Sequence, residues 1–327
     1  MKFDVIIGNP PYQRVDGGGG SSATPVYHRF VERAMRLGPR YVSMIIPSRW
    51  YSGGKGLAGF RRGMLGDGRL RRLVDHGDSR DCFPGVDLAG GVCYFLWDRD
   101  GPGPCLVETR DGDRRTESVR DLGEHELFIR DGRTAEIVRR VAALTDRTLA
   151  GLVSRRNPFG VGSREKPRKK GDLALYASSG DGRIDSGLVL SGFELVDQWK
   201  VLLSKSSSDH AGQPDRRGRR KIFSRVAVMP PGSVCSESYL VAGGFEEKRQ
   251  AENLARYLTT RFCRFLVSAV LLTQNITRGN FLFAPAQDFS QRWTDDKLLR
   301  KYGLAGRDAA FMEALIKPMR VEGAADE

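Results

Sequence analysis

The stretch FDVIIGNPPYQ, residues 3–13, limits what this chain can fold into more than any other segment. Val5, Ile6 and Ile7 form a β-branched run of the kind found in strands buried on both faces, as in a parallel sheet flanked by helices. Pro10 and Pro11 end that strand. Neither carries a backbone N–H and each fixes its own φ, so the ladder stops and nearby carbonyls are left to accept bonds from something else. Asn9 adds an amide oxygen and Tyr12 a flat aromatic face, at the carboxyl end of a strand, where open α/β sheets bind ligands. A planar heterocycle with an exocyclic amino group suits this set: the Asn9 oxygen and the Pro10 carbonyl accept from the amino group while Tyr12 stacks on the ring. The plain alternative is a proline-rich turn after a strand, the ordinary reading of a bare Pro-Pro.

Asn9-Pro10-Pro11-Tyr12 resembles motif IV of the amino-group DNA methyltransferases, specifically the adenine-N6 enzymes of restriction-modification systems. The resemblance extends past the tetrapeptide. SSATPVYHRFVERAMRL reads as a helix with apolar positions at Val26, Phe30, Val31, Ala34 and Met35, and YVSMIIPSRWYSGGKG is similar to the family's next strand and loop. LVDHGDSRDCFPGVDLAGGVCYFLWDRDG resembles the following strand, a loop and the last hairpin strand.

The resemblance implies an α/β fold: a partial Rossmann-like methyltransferase sheet from strand 4 onward over residues 1–120, a linker and helix over 121–145, and an α+β DNA target-recognition domain over 146–327. It implies site-specific methyl transfer from S-adenosylmethionine to a flipped adenine, with Asn9, Pro10, Pro11 and Tyr12 as the catalytic motif. Trp97 falls where an aromatic contacts the flipped base, so Tyr12 and Trp97 are the expected stacking residues. The family orders its strands 3-2-1-4-5-7-6 and holds the cofactor on a Gly-rich turn after strand 1 and an acidic residue after strand 2. Neither is found ahead of Asn9 here. The resemblance therefore implies that the cofactor-binding half is supplied elsewhere, for instance by a separate polypeptide, and that the Val5–Ile7 strand is an unpaired apolar edge.

Charge supports a polyanionic partner, with duplex DNA the obvious one: net charge is +13. It is densest in two loops of the second half. Arg164, Lys166, Arg168, Lys169 and Lys170 form one cluster, and Arg216, Arg217, Arg219, Arg220 and Lys221 the other, both among Gly and Pro residues that let a loop track phosphates. The five cysteines include no CxxC pair, which indicates reduced thiols of a cytosolic protein rather than a disulfide frame or zinc site. The four histidines have no ligand spacing, so no metal is expected, and no apolar stretch approaches the length of a membrane span.

Three other motifs are weighed and set aside. Gly160-x-Gly162 leads into a Pro-broken basic run rather than a helix, and Gly243-Gly244 sits between strand and helix but lacks the acidic residue and second glycine pattern of a cofactor loop. Pro214-Asp215 with Glu246-x-Lys248 has the letters of a metal-dependent nuclease, yet Asp215 falls in an Arg/Gly loop and Glu246 near a helix start, where acids offset the dipole. DGGGGSS at 16–22 suggests a mobile loop beside the site. Two rival functions remain: a DNA-binding remnant or specificity subunit that cannot hold the cofactor, and a methyltransferase acting on a protein glutamine amide, against which the basic second half argues.

Overall fold

The computed structural model describes residues 3–14, 24–112, 114–206, 218–304 and 306–322. The chain divides into two compact units, Met1–Ala135 and Glu136–Glu327. The glycines of DGGGGSS, and Arg216 and Arg217 of the second basic cluster, lie outside the described residues.

The first unit is built on a six-stranded mixed sheet. Its strands are β1 (Val5–Gly8), β2 (Tyr41–Pro47), β3 (Leu70–His76), β4 (Val92–Asp98), β5 (Cys105–Asp111) and β6 (Arg114–Arg120), in spatial order β1-β2-β4-β3-β5-β6. β1 and β2 are parallel, and β4 runs antiparallel to both β2 and β3. If β1 is the family's strand 4, the first four neighbours are strands 4-5-7-6 with the reversed strand in place. The expected partial methyltransferase sheet is what forms.

Two helices lie between these strands. In α1 (Tyr27–Arg36) the buried residues Tyr27, Val31 and Ala34 recur at helical spacing, whereas Phe30 points outward. α2 (Ala58–Gly66) buries Phe60, Met64 and Leu65. Side-chain alternation along β4 puts Cys93, Phe95 and Trp97 in the core, while Leu96 on the other face is exposed. Each large apolar side chain so enclosed contributes about 1.5–3 kcal/mol relative to exposure.

β1 departs from the sequence expectation of a strand buried on both faces. Val5 is 50% and Ile7 79% exposed. Among the described residues β1 pairs with β2 alone, so it is the edge of the sheet and its faces are largely uncovered. At the other side β5 and β6 form a hairpin that adds two strands to the sheet.

α3 (Gly132–Ala142) carries the chain into the second unit. There β7 (Leu173–Ala177), β8 (Gly180–Ile184) and β11 (Ser233–Cys235) form one three-stranded sheet. β9 (Trp199–Ser204), β10 (Val226–Met229) and β12 (Tyr239–Phe245) form another. Phe159, Leu175, Leu202, Met229, Val234 and Val241 share one core. α4 (Lys248–Thr259) packs on the β9–β10–β12 sheet, and α5 (Arg261–Ser268) packs against α6 (Asp295–Lys301) and α7 (Arg307–Leu315). Thr260 ends α4 and caps α5 through its side chain, so these are two helices. Cys93, Cys105, Cys235 and Cys263 are buried, Cys82 is half-buried, and all five are free thiols. No helix among the described residues is long and apolar enough to cross a membrane.

Candidate active site

β1 and β2 run side by side, so the ends of both strands, Asn9-Pro10-Pro11-Tyr12 and Pro47-Ser48-Arg49, meet at one edge of the sheet. A cavity of about 480 Å³ opens there. Asn9, Pro10, Pro11 and Tyr12 line one side and Tyr27, from the start of α1, lies among them. Pro47 and Arg49 form a second wall; Asp87, Leu88 and Ala89, from the loop between β3 and β4, form the third. The structure thus brings the whole Asn-Pro-Pro-Tyr motif to one concave site, of the size that takes a small planar ligand.

Within it the groups differ in exposure. Asn9 stands exposed at the rim, Pro10 is buried, and the Tyr12 ring is half-buried. The hydroxyls of Tyr12 and Tyr27 are enclosed without a hydrogen-bond partner, an arrangement that calls for a ligand or water to complete it. Burial pushes both phenols above their ordinary value, so at neutral pH they are uncharged donors and acceptors.

The loop that forms the third wall is held from beneath. Ser79, itself buried, donates to the Val86 carbonyl at 2.7 Å and accepts from the Leu88 N–H at 2.8 Å. At the loop's end Gly91 adopts φ +75°, and a Cβ there would collide with the carbonyl of His76, so only glycine closes this turn. Tyr27, Arg49, Ser79 and Asp87 were not singled out from the sequence. They reach the site through tertiary packing, and no local signal marks them.

Trp97 is not part of the cavity. β4 runs antiparallel to β2, so Val92 at its start pairs with Pro47 beside the cavity, while Trp97 near its end pairs with Val42 at the far end of the sheet. The indole is buried, its Nε1 donates to Asp67 Oδ2 at 3.0 Å, and the Arg69 guanidinium lies 4.7 Å from the ring centroid. Its expected role as a stacking residue is corrected accordingly: Trp97 is a core residue.

In the second unit Arg164, Lys166, Lys169 and Lys170 are exposed, and Arg168 forms an ion pair with Asp185 at 3.0 Å. The described part of the other cluster is tied into the fold. Arg220 pairs through its backbone with Leu315 and Lys317, the Lys221 carbonyl accepts from the buried Arg264, and Lys221 Nζ donates to the Ser224 carbonyl. Gly243 and Gly244 are packed by the chain's own side chains: a Cβ on Gly243 would collide with Phe245 and one on Gly244 would lie 2.5 Å from Gln198 Oε1.

Residues 1–83 match the family described as Eco57I restriction-modification methylase. An uncharacterized adenine-specific methylase of Mycoplasma pneumoniae is 36% identical over 132 residues, which are 39% of this chain and 31% of that protein. The resemblance read from Asn9-Pro10-Pro11-Tyr12 is borne out by these matches. The chain spans about a third of the length of this curated relative. Among solved structures, the type IIL restriction-modification enzyme MmeI in complex with DNA is similar at TM-score 0.45 and 8% identity, over 85% of this chain and 46% of that one. A modification subunit of a putative type I restriction enzyme from Vibrio vulnificus YJ016 is similar at TM-score 0.27 and 18% identity, over 35% of this chain and 27% of that one.

Proposed function

We propose that this chain is the target-base half and the DNA-recognition part of an adenine-N6 DNA methyltransferase of a restriction-modification system, working in the cytosol. The observation that carries the reading is the cavity itself, in which Asn9, Pro10 and Tyr12 stand together at the carboxyl end of β1. The target adenine leaves the duplex to enter it, because its amino group is otherwise held in pairing and stacking. The Asn9 side-chain oxygen and the Pro10 carbonyl accept from that amino group and favour positive charge on its nitrogen, and Tyr12 stacks on the ring. No general base is needed first, since the amino nitrogen attacks through its lone pair and loses its proton afterwards.

S-adenosylmethionine is the methyl donor this reading requires. The glycine-rich turn after a first strand and the acidic residue after a second, which the resemblance implies for its methionine and ribose, are not identified among the described residues. We place the cofactor-binding half on another segment or a separate polypeptide, docked along the uncovered edge of β1. Residues 146–327 then serve target recognition, with 121–145 as connection. The exposed Arg164, Lys166, Lys169 and Lys170 are the better-placed phosphate contacts, because the described part of the other cluster is engaged in the fold.

The test is methyl transfer to duplex DNA, with products digested to nucleosides and read by mass spectrometry. With the complementary half present, N6-methyldeoxyadenosine accumulates and Asn9→Ala lowers its rate at least a hundredfold while changing DNA affinity little. Parental rate in Asn9→Ala reduces Asn-Pro-Pro-Tyr to a turn. DNA binding with no methylation under any complementation favours the remnant reading, which the uncovered β1 edge also fits.

A further inference from the structure

Behind the cavity, at the end of β3, lies an ion pair that the reaction outlined above does not use. Asp75 is completely buried. Its Oδ2 sits 3.0 Å from Arg130 Nε, and its Oδ1 accepts a hydrogen bond from Ser48 Oγ at 2.9 Å. A carboxylate removed from water is costly and persists only where its partners are fixed, so what those partners touch is informative.

Both partners touch both walls. Ser48 lies between Pro47 and Arg49, both in the cavity lining, and its backbone N–H donates to the Gly91 carbonyl at 3.0 Å. Arg130 donates through Nη2 to the Gly90 carbonyl and lies 5.4 Å from the ring centroid of Tyr51, which follows the same Pro47–Arg49 turn. Gly90 and Gly91 close the loop whose Asp87, Leu88 and Ala89 form the opposite wall. A single buried carboxylate thus holds Ser48 by a hydrogen bond and Arg130 by charge, beneath the point where the two walls meet.

We infer that Asp75 and Arg130 are positioning residues that fix the separation of the two cavity walls and so the width of the slot a flat ring must enter. The inference rests on the reading that the cavity takes a base only for its consequence to catalysis; the wall geometry stands apart from it. Loss of the pair leaves Asn9 and Tyr12 in place but lets the 86–91 loop move away from the Pro47–Arg49 turn. Binding then persists while the fraction of correctly held substrate falls.

Hydrogen exchange read by mass spectrometry on the full chain tests this directly. Asp75→Asn strands Arg130 and is expected to lower thermal stability, with exchange at 48–51 and 86–91 rising at least tenfold. Asp75→Asn combined with Arg130→Met removes both charges. It should regain much of the thermal stability while exchange at the two walls stays fast and amides of β2 and β3 stay protected. In the complemented enzyme the double variant should lower kcat at least tenfold with KM for DNA within about twofold. Parental wall exchange in the double variant overturns the inference and leaves the adenine reading untouched. Fast wall exchange with unchanged kcat overturns the slot-width role, and Asn9→Ala reports on the adenine reading separately.

Discussion

β1 and β6 bound the same sheet on opposite sides, and they are built by opposite rules. β6, RRTESVR, carries charge along its length: Arg115 pairs with Glu117 at 2.6 Å and Arg120 with Glu124 at 2.8 Å, leaving Val119 as its exposed apolar side chain. β1, VIIG, has no charge at all and leaves Val5 and Ile7 in the open. Charged side chains on an outer strand discourage further pairing, whereas an apolar strand with free backbone groups invites it. β6 is therefore guarded against a further strand, and β1 is not. On the proposed function, the additional strands belong on the β1 side, next to the cavity.

The sharpest way to break this comparison is to exchange the character of the edges. Val5→Lys with Ile7→Lys should reduce concentration-dependent self-association of the isolated chain at least tenfold in sedimentation velocity, and should lower methyl transfer by a similar factor once the complementary half is added. Val119→Lys should leave both within about twofold. Equal responses at the two edges would show that apolar exposure at β1 carries no pairing role.

A smaller effect is expected on the β6 side, where Glu108 of β5 is fully enclosed by Arg72, Arg110 and Arg115 at 2.9, 2.6 and 3.0 Å. Glu108→Gln should cost about 1.5–3 kcal/mol in urea unfolding, the range for hydrogen bonds to a charged group. Burial opposes the ionised form, but the arginines prevail and hold this carboxyl below its ordinary value. Its contribution is therefore complete above the unfolded-state value of about 4.3 and is lost as pH falls through the lower folded-state value. The parental chain should lose more stability than Glu108→Gln over that acid range; parallel pH curves would remove Glu108 from the account. Smallest of all, Glu117→Ala removes an exposed partner of Arg115 and should cost less than about 1 kcal/mol, with the loss shrinking as salt is added.

The two sides of the sheet also differ in how readable they were. Val5-Ile6-Ile7 stopped by two prolines is a strand and an end in one phrase, and α1 follows from its helical spacing. β5 and β6 were hidden because their inward positions include Glu108, a charge that reads as solvent-facing until three arginines are brought to it by separate strands. Trp97 was misjudged for a related reason. Alternation along β4 told which face the indole takes, but strand direction decides which end of the sheet it occupies, and direction is set by neighbours distant in sequence. The cavity divides the same way: Asn9 to Tyr12 are adjacent in the chain and legible, whereas Asp75, Arg130 and the loop over 86–91 acquire meaning only when β3 and β4 lie side by side.

Cys82 gives the protein a chemical handle. Its four fellow thiols are sealed in the interior, so a maleimide dye added to the folded chain should attach at this one position without any engineering. Burial keeps the Cys82 thiol above its ordinary value and slows that reaction near neutrality. It sits just ahead of the loop whose Asp87, Leu88 and Ala89 face Asn9 across the cavity. A dye there reports on the loop as it moves, and the labelling rate itself becomes a clock for how often the segment lifts.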